Sequence, residues 1–111
     1  MVYAQLPPKK RGDTWLFSFT WESLGSTVNL ESCTARMQLR LRSDPEVVAE
    51  ADYITIVPET GSVNVRFNAE ITENLPIGVY LTDLELTFPG GIVQSSDTFQ
   101  LTVIPDQTLP L

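Results

Sequence analysis

The sequence of 111 residues contains no histidine. That removes the usual general base near neutral pH, the usual catalytic triad and the commonest zinc ligand. Its single cysteine, Cys33, excludes an internal disulfide and a thiolate metal cluster, and points weakly to a reducing compartment. No apolar run approaches the ~18 residues of a membrane span. The apolar start before Pro7-Pro8-Lys9-Lys10-Arg11 is too short for the core of a secretory signal. Basic residues are scarce, seven against fourteen acids, for a net charge of −7. A chain so acidic repels phosphate, so neither nucleic acid nor a membrane is expected as a partner. No glycine-rich phosphate loop is present.

What is present is a train of short runs alternating apolar and polar residues. The clearest is Val63-Asn64-Val65-Arg66-Phe67-Asn68-Ala69-Glu70-Ile71, apolar at every odd position. Only a strand sends successive side chains to opposite faces and so gives such a run one dry face and one wet one. Thr14 to Trp21 reads the same way, with Trp15, Phe17, Phe19 and Trp21 together as the centre of the core. Cys33 to Arg42 alternates Cys33, Ala35, Met37, Leu39 and Leu41 with polar residues, and Ser43-Asp44-Pro45 ends it. Val28 to Leu30 reads as a brief strand. Val47–Ala51 and Tyr53–Val57 are weaker runs that read as two short strands joined at Asp52, with helix conceivable over 46–51. Pro58-Glu59-Thr60-Gly61 predicts a tight turn into the run over 62–71. Residues 72–76 form a connector, Gly78 to Phe88 a long strand, Pro89-Gly90-Gly91 a hairpin, and the stretch from Ile92 to Ile104 the return.

About seven half-buried strands at regular spacing predict an all-β domain of two antiparallel sheets face to face; a small closed barrel is the alternative. Residues 1–13 read as an N-terminal arm, 14–104 as the sandwich and 105–111 as a C-terminal tail.

Each candidate site has a plainer reading. Asp44, Glu46, Glu50 and Asp52 lack the loop pattern of a calcium site and read as a solvated acidic stretch. Arg11-Gly12-Asp13 matches an integrin-binding tripeptide but reads as a turn. Cys33 reads as a small hydrophobe. Arg36, Arg40 and Arg42 share a wet face. Asp83 and Glu85 have the spacing to pair with Arg36 and Arg40 if the two strands are neighbours, each pair contributing roughly 0.2–1 kcal/mol. The acids fit no glycosidase-like motif, so the chain is read as a non-enzyme with no cofactor and no metal. The arm, with Val2, Tyr3, Leu6, Lys9, Lys10 and Arg11, is the candidate assembly contact, an extended peptide added to a neighbour's sheet edge.

Several pieces occur in a particular order. Arg11-Gly12-Asp13-Thr14-Trp15 is followed by Phe19-Thr20-Trp21, Val28-Asn29-Leu30 and Ala35-Arg36-Met37-Gln38-Leu39-Arg40. Leu75-Pro76-Ile77-Gly78-Val79-Tyr80, Asp83-Leu84-Glu85, Phe99-Gln100-Leu101-Thr102-Val103 and Pro105-Asp106-Gln107-Thr108 complete the set. This order resembles that of a family of small tailed-bacteriophage proteins, over roughly residues 11–108. The chain departs at Asp97-Thr98, where the family often has glycine, and at Cys33, where the family varies. The resemblance implies an immunoglobulin-like sandwich of about seven strands. It further implies a virion component assembled in the host cytoplasm and present in several copies: an accessory part of tail, baseplate or fibre attachment, or of the head surface. Its partners would be other virion proteins. A capsid-surface module that holds carbohydrate or host protein through exposed aromatics is the alternative.

Overall fold

A computed structural model describes residues 4–23 and 25–107. In chain order the strands are β1 (Ala4–Gln5), β2 (Lys9–Lys10), β3 (Trp15–Thr20), β4 (Glu22–Ser23), β5 (Ser26–Thr27), β6 (Thr34–Leu41) and β7 (Asp44–Glu50). They continue with β8 (Tyr53–Val57), β9 (Ser62–Phe67), β10 (Gly78–Phe88), β11 (Ile92–Ser95) and β12 (Phe99–Ile104). A 3₁₀ turn spans Pro58–Thr60, and one short helix, α1, spans Ala69–Thr72.

The protein is all-β. One sheet runs β1-β12-β10-β6-β7, with β2 also on β12 and β11 also on β10; the second runs β3-β9-β8; β4 and β5 form a small hairpin. The strands fall into separate sheets rather than one closed barrel. The larger sheet is mixed rather than antiparallel, because β1 and β2 both join β12 in parallel. Every pairing in the three-stranded sheet is antiparallel.

Alternation is what builds the core. Trp15, Phe17, Val63, Val65 and Phe67 from one sheet meet Met37, Leu39, Tyr80, Leu84, Leu86, Leu101 and Val103 from the other in a single buried cluster. Phe67 sits between Trp15 and Phe17, its ring centre 6.1 Å from each. Phe19 is half-buried and reaches Phe99 across the sheets at 5.8 Å, and Trp21 is also half-buried. Fully burying a large apolar side chain contributes roughly 1.5–3 kcal/mol, so these strands are held mainly by their inner faces.

The sequence reading needs correction in three places. The run over 63–71 stops being a strand at Phe67, and Ala69–Thr72 coils into α1. Phe67 and Ile71 lie four residues apart, a spacing that one face of a helix satisfies as well as a strand does. Residues 46–51 lie in and just beyond β7, in line with the strand reading of Val47–Ala51 and not the helical alternative; the β-branched pair Val47-Val48 suits the pleated edge beside β6. The turn before β7 is Arg42-Ser43, so Asp44 and Pro45 already belong to the strand. Pro45 donates no ladder bond, and the register breaks between Arg40 and Leu41. Finally, Val28–Leu30 forms no strand, yet Leu30 is fully buried and donates its backbone N–H to the Pro58 carbonyl at 3.2 Å.

Two connections fix the ends of the core. Tyr80, at the start of β10, is buried, and its hydroxyl donates to the Pro76 carbonyl at 2.6 Å. Burial pushes its phenol above the ordinary value. Thr72, buried at the end of α1, donates to the Asp13 carbonyl at 2.6 Å and accepts the Gly12 N–H at 3.2 Å.

Candidate assembly surfaces

The arm is the first candidate, and its backbone is already occupied. Ala4 lies beside Phe99 and Lys9 beside Val103 on β12 of the same chain. Leu6 donates its N–H to Gln100 and Arg11 donates to Ile104, both at 2.9 Å. The side chains follow. Leu6 packs against the core, the Lys9 ammonium lies 5.1 Å from the Phe17 ring centre, and the Trp15 indole N–H donates to the Lys10 carbonyl at 2.8 Å. Pro7-Pro8 separates the two short strands and denies that stretch two donors. The expectation is of an arm that joins a neighbour's sheet edge through Leu6, Lys9, Lys10 and Arg11; in this chain their backbone already lies along β12. Such an arm would first have to leave β12. Val2 and Tyr3 lie outside the described residues. Arg11-Gly12-Asp13 is a turn, with Gly12 at φ +91° and its N–H on Thr72.

The second candidate is the wet face of the larger sheet. β6 and β10 are neighbours, with Arg36 opposite Glu85, Gln38 opposite Asp83 and Arg40 opposite Leu81. Adjacency follows the sequence reading; the pairing does not. Arg36 turns to the other side and donates to Glu50 on β7 at 2.9 Å. Gln38 donates to the same carboxylate oxygen at 2.8 Å. Arg40 donates to the Gln38 side-chain oxygen at 3.2 Å and to the Pro45 carbonyl at 3.1 Å, not to Asp83. The hydrogen bond from Arg36 holds the Glu50 carboxyl below its usual range, and the same bond raises the Arg36 guanidinium. Glu85 contributes to Arg36 only through its charge. Glu50 escaped the sequence reading because it was grouped with the acidic stretch. Its register beside Gln38 is set by the break at Pro45 and not by local pattern.

The third surface is the outer face of the smaller sheet. Leu16, Arg66 and Tyr53 line up across β3, β9 and β8. The Arg66 guanidinium stacks 4.6 Å from the Tyr53 ring centre, and its Nε is buried without a hydrogen-bond partner. In the next row Ser18 donates to Asn64 at 2.8 Å. Of the aromatics that would serve a carbohydrate site, Trp15 and Tyr80 are buried and Trp21 half-buried; Tyr53 is exposed. They form no open cluster among the described residues.

Among the described residues no group of three or more cysteine, aspartate or glutamate side chains could hold a metal ion, and no helix is long and apolar enough to cross a membrane. No family model matches the chain, and no curated protein matches it.

Proposed function

We propose that this chain is an immunoglobulin-like module serving as a non-enzymatic structural protein of a bacteriophage virion. It would act as an accessory part of the tail, baseplate or fibre attachment through protein–protein contacts, in multiple copies. The observation that carries the reading is the coincidence of the phage-like sequence pieces with the framework positions of the fold. Leu75-Pro76-Ile77-Gly78-Val79-Tyr80 supplies the buried Leu75 and the Tyr80–Pro76 hydrogen bond. A tyrosine that bonds back to upstream backbone at the start of the penultimate long strand is a hallmark of immunoglobulin-type sandwiches. Gly12-Asp13-Thr14-Trp15 supplies the turn that Thr72 holds and the indole that anchors the arm. The order β3-β9-β8 facing β12-β10-β6-β7 supports the same assignment.

The geometry also favours docking over chemistry. On the wet face of the larger sheet Arg36, Gln38, Arg40 and Glu50 are engaged with one another or with backbone, and β7 and β8 lie at sheet edges among the described residues. The fold alone hosts many functions, so the test concerns location. Purified particles of the phage that encodes the chain should contain it by mass spectrometry. Electron microscopy should then find its density repeated around the tail axis. Particles without the chain would refute the reading; density on the head surface would move it to capsid decoration.

A further inference from the structure

A strand at the rim of a sheet shows unpaired N–H and C=O groups, a template for another chain unless charge, proline, a bulge or brevity blunts it. Most rims of this molecule are blunted. β7 carries Asp44, Glu46, Glu50, Pro45 and the register break. The arm on β12 is two short strands split by Pro7-Pro8, the second of them Lys9-Lys10, which runs on into Arg11. That same basic segment folds past β3, through the Lys9–Phe17 and Lys10–Trp15 contacts. β11 is four residues long.

β8 is different. Tyr53-Ile54-Thr55-Ile56-Val57 has no charge, no proline and no bulge, and four of its five residues are β-branched. It pairs with β9 on one side and with no other strand among the described residues. On its outer face Tyr53 is 55% and Val57 37% exposed; on its inner face Ile54 and Ile56 belong to the core but are only partly covered.

We propose that β8 is the seam of a two-fold dimer of this chain. β8 of one copy pairs antiparallel with β8 of a second, and two three-stranded sheets become one of six. A second copy is the occupant because the strand is complementary to itself. Pairing centred on Thr55 sets Tyr53 against Val57 of the partner subunit and Ile54 against Ile56 of the partner subunit. Thr55 then lies beside its own two-fold mate. These are the aromatic–aliphatic, β-branched and Thr–Thr pairs that stabilise neighbouring strands. Charge selects the same rim. Two copies at −7 each repel, and β7 would set acid against acid, whereas β8 brings no charge to the seam. Asp52, next to the strand, is turned onto Asn68, accepting from its backbone N–H at 3.1 Å and from its side-chain amide. The seam is short, so the dimer depends on concentration. It strengthens as salt screens the net repulsion. The inference stands apart from the virion reading, since it concerns how two copies meet in any setting.

Sedimentation velocity of the full chain over a concentration series, at low and high salt, tests it. The parent should shift from 12.4 kDa towards twice that mass, further at high salt. Thr55→Lys places like charges together across the two-fold at an exposed position. It should remain monomeric at concentrations where the parent is dimeric, with an unchanged circular dichroism spectrum. Val93→Lys, on the exposed β11, should dimerise like the parent. Thr55→Cys combined with Cys33→Ser should form a disulfide-linked dimer under mild oxidation, which keeps the test decisive if the lysine variant misfolds. A parent monomeric throughout, a dimer that survives Thr55→Lys, a dimer abolished by Val93→Lys, or no cross-link through position 55 would overturn the proposal.

Discussion

Replacing Thr72 by valine keeps the side chain's shape and deletes one hydroxyl. That hydroxyl joins two distant parts of the chain. It donates to Asp13 at 2.6 Å and accepts from Gly12 at 3.2 Å, about sixty residues earlier, from a position with no exposed surface. A net hydrogen bond is worth about 1 kcal/mol, so losing two costs about 2 kcal/mol. Gly12 and Asp13 are themselves exposed, and water can partly replace the lost partner, which keeps the cost from rising further. Unfolding entropy near 2.1 cal/mol/K per residue gives about 0.23 kcal/mol/K for a chain of this length. The melting temperature should therefore fall by about 9 °C. Thermal and urea denaturation followed by circular dichroism measure this, with an unchanged urea slope as the sign that the unfolded state is the same. Thr72→Ser is the control. It keeps the hydroxyl and loses one buried methyl, for about 1 kcal/mol. Hydrogen exchange gives a local readout, since the Gly12 amide should lose protection in Thr72→Val and keep it in Thr72→Ser. A valine variant within about 0.5 kcal/mol of the parent, or a serine variant less stable than the valine one, would refute the reasoning.

Tyr80→Phe should cost about 1 kcal/mol at neutral pH, because the exposed Pro76 carbonyl can turn to water once the phenol is gone. Burial raises the Tyr80 pKa in the folded state, so the folded protein disfavours the phenolate. The resulting stability is fully present below the unfolded value near 10 and is lost as pH rises through the folded one. The gap between parent and Tyr80→Phe should thus narrow above that pH in urea titrations, and a gap that widens there would refute the assignment. Gly61→Ala and Gly91→Ala separate crowding from backbone strain. Gly61 has φ +64°, and a Cβ there would lie 2.8 Å from the Val28 carbonyl oxygen and 2.9 Å from that of Trp21. Gly91 has φ +80° with open space around it. The first should cost about 2 kcal/mol or more and the second about 1 kcal/mol by urea midpoint, and equal costs would show that the contact at Gly61 is relieved by movement.

Local pattern made the strands legible. β3, β6, β9, β10 and β12 announce themselves because each has one face in the core, and a period of two survives wherever one face is dry. The inward sets around Trp15, Met37, Val65, Tyr80 and Leu101 follow from it. The pattern misled where two periods coincide, as at Phe67 and Ile71, and at Leu30, buried with no strand around it; it was silent at the buried Leu75. The charged face was half legible. Adjacency of β6 and β10 followed from spacing, but the acid that Arg36 takes comes from the other neighbour, and that choice depends on the break in β7.

The sequence by itself determined that this protein is built of strands, with Trp15 and Phe17 of β3 inside, because alternation and residue type are local properties. Only the tertiary structure decided that the arm lies on its own β12, that Arg36 takes Glu50, and that β8 pairs with a single strand among the described residues. Those depend on which strand stands next to which. Pairing is a contact between residues far apart in the chain, and a strand's alternation says which face is dry but not which neighbour fills its edge.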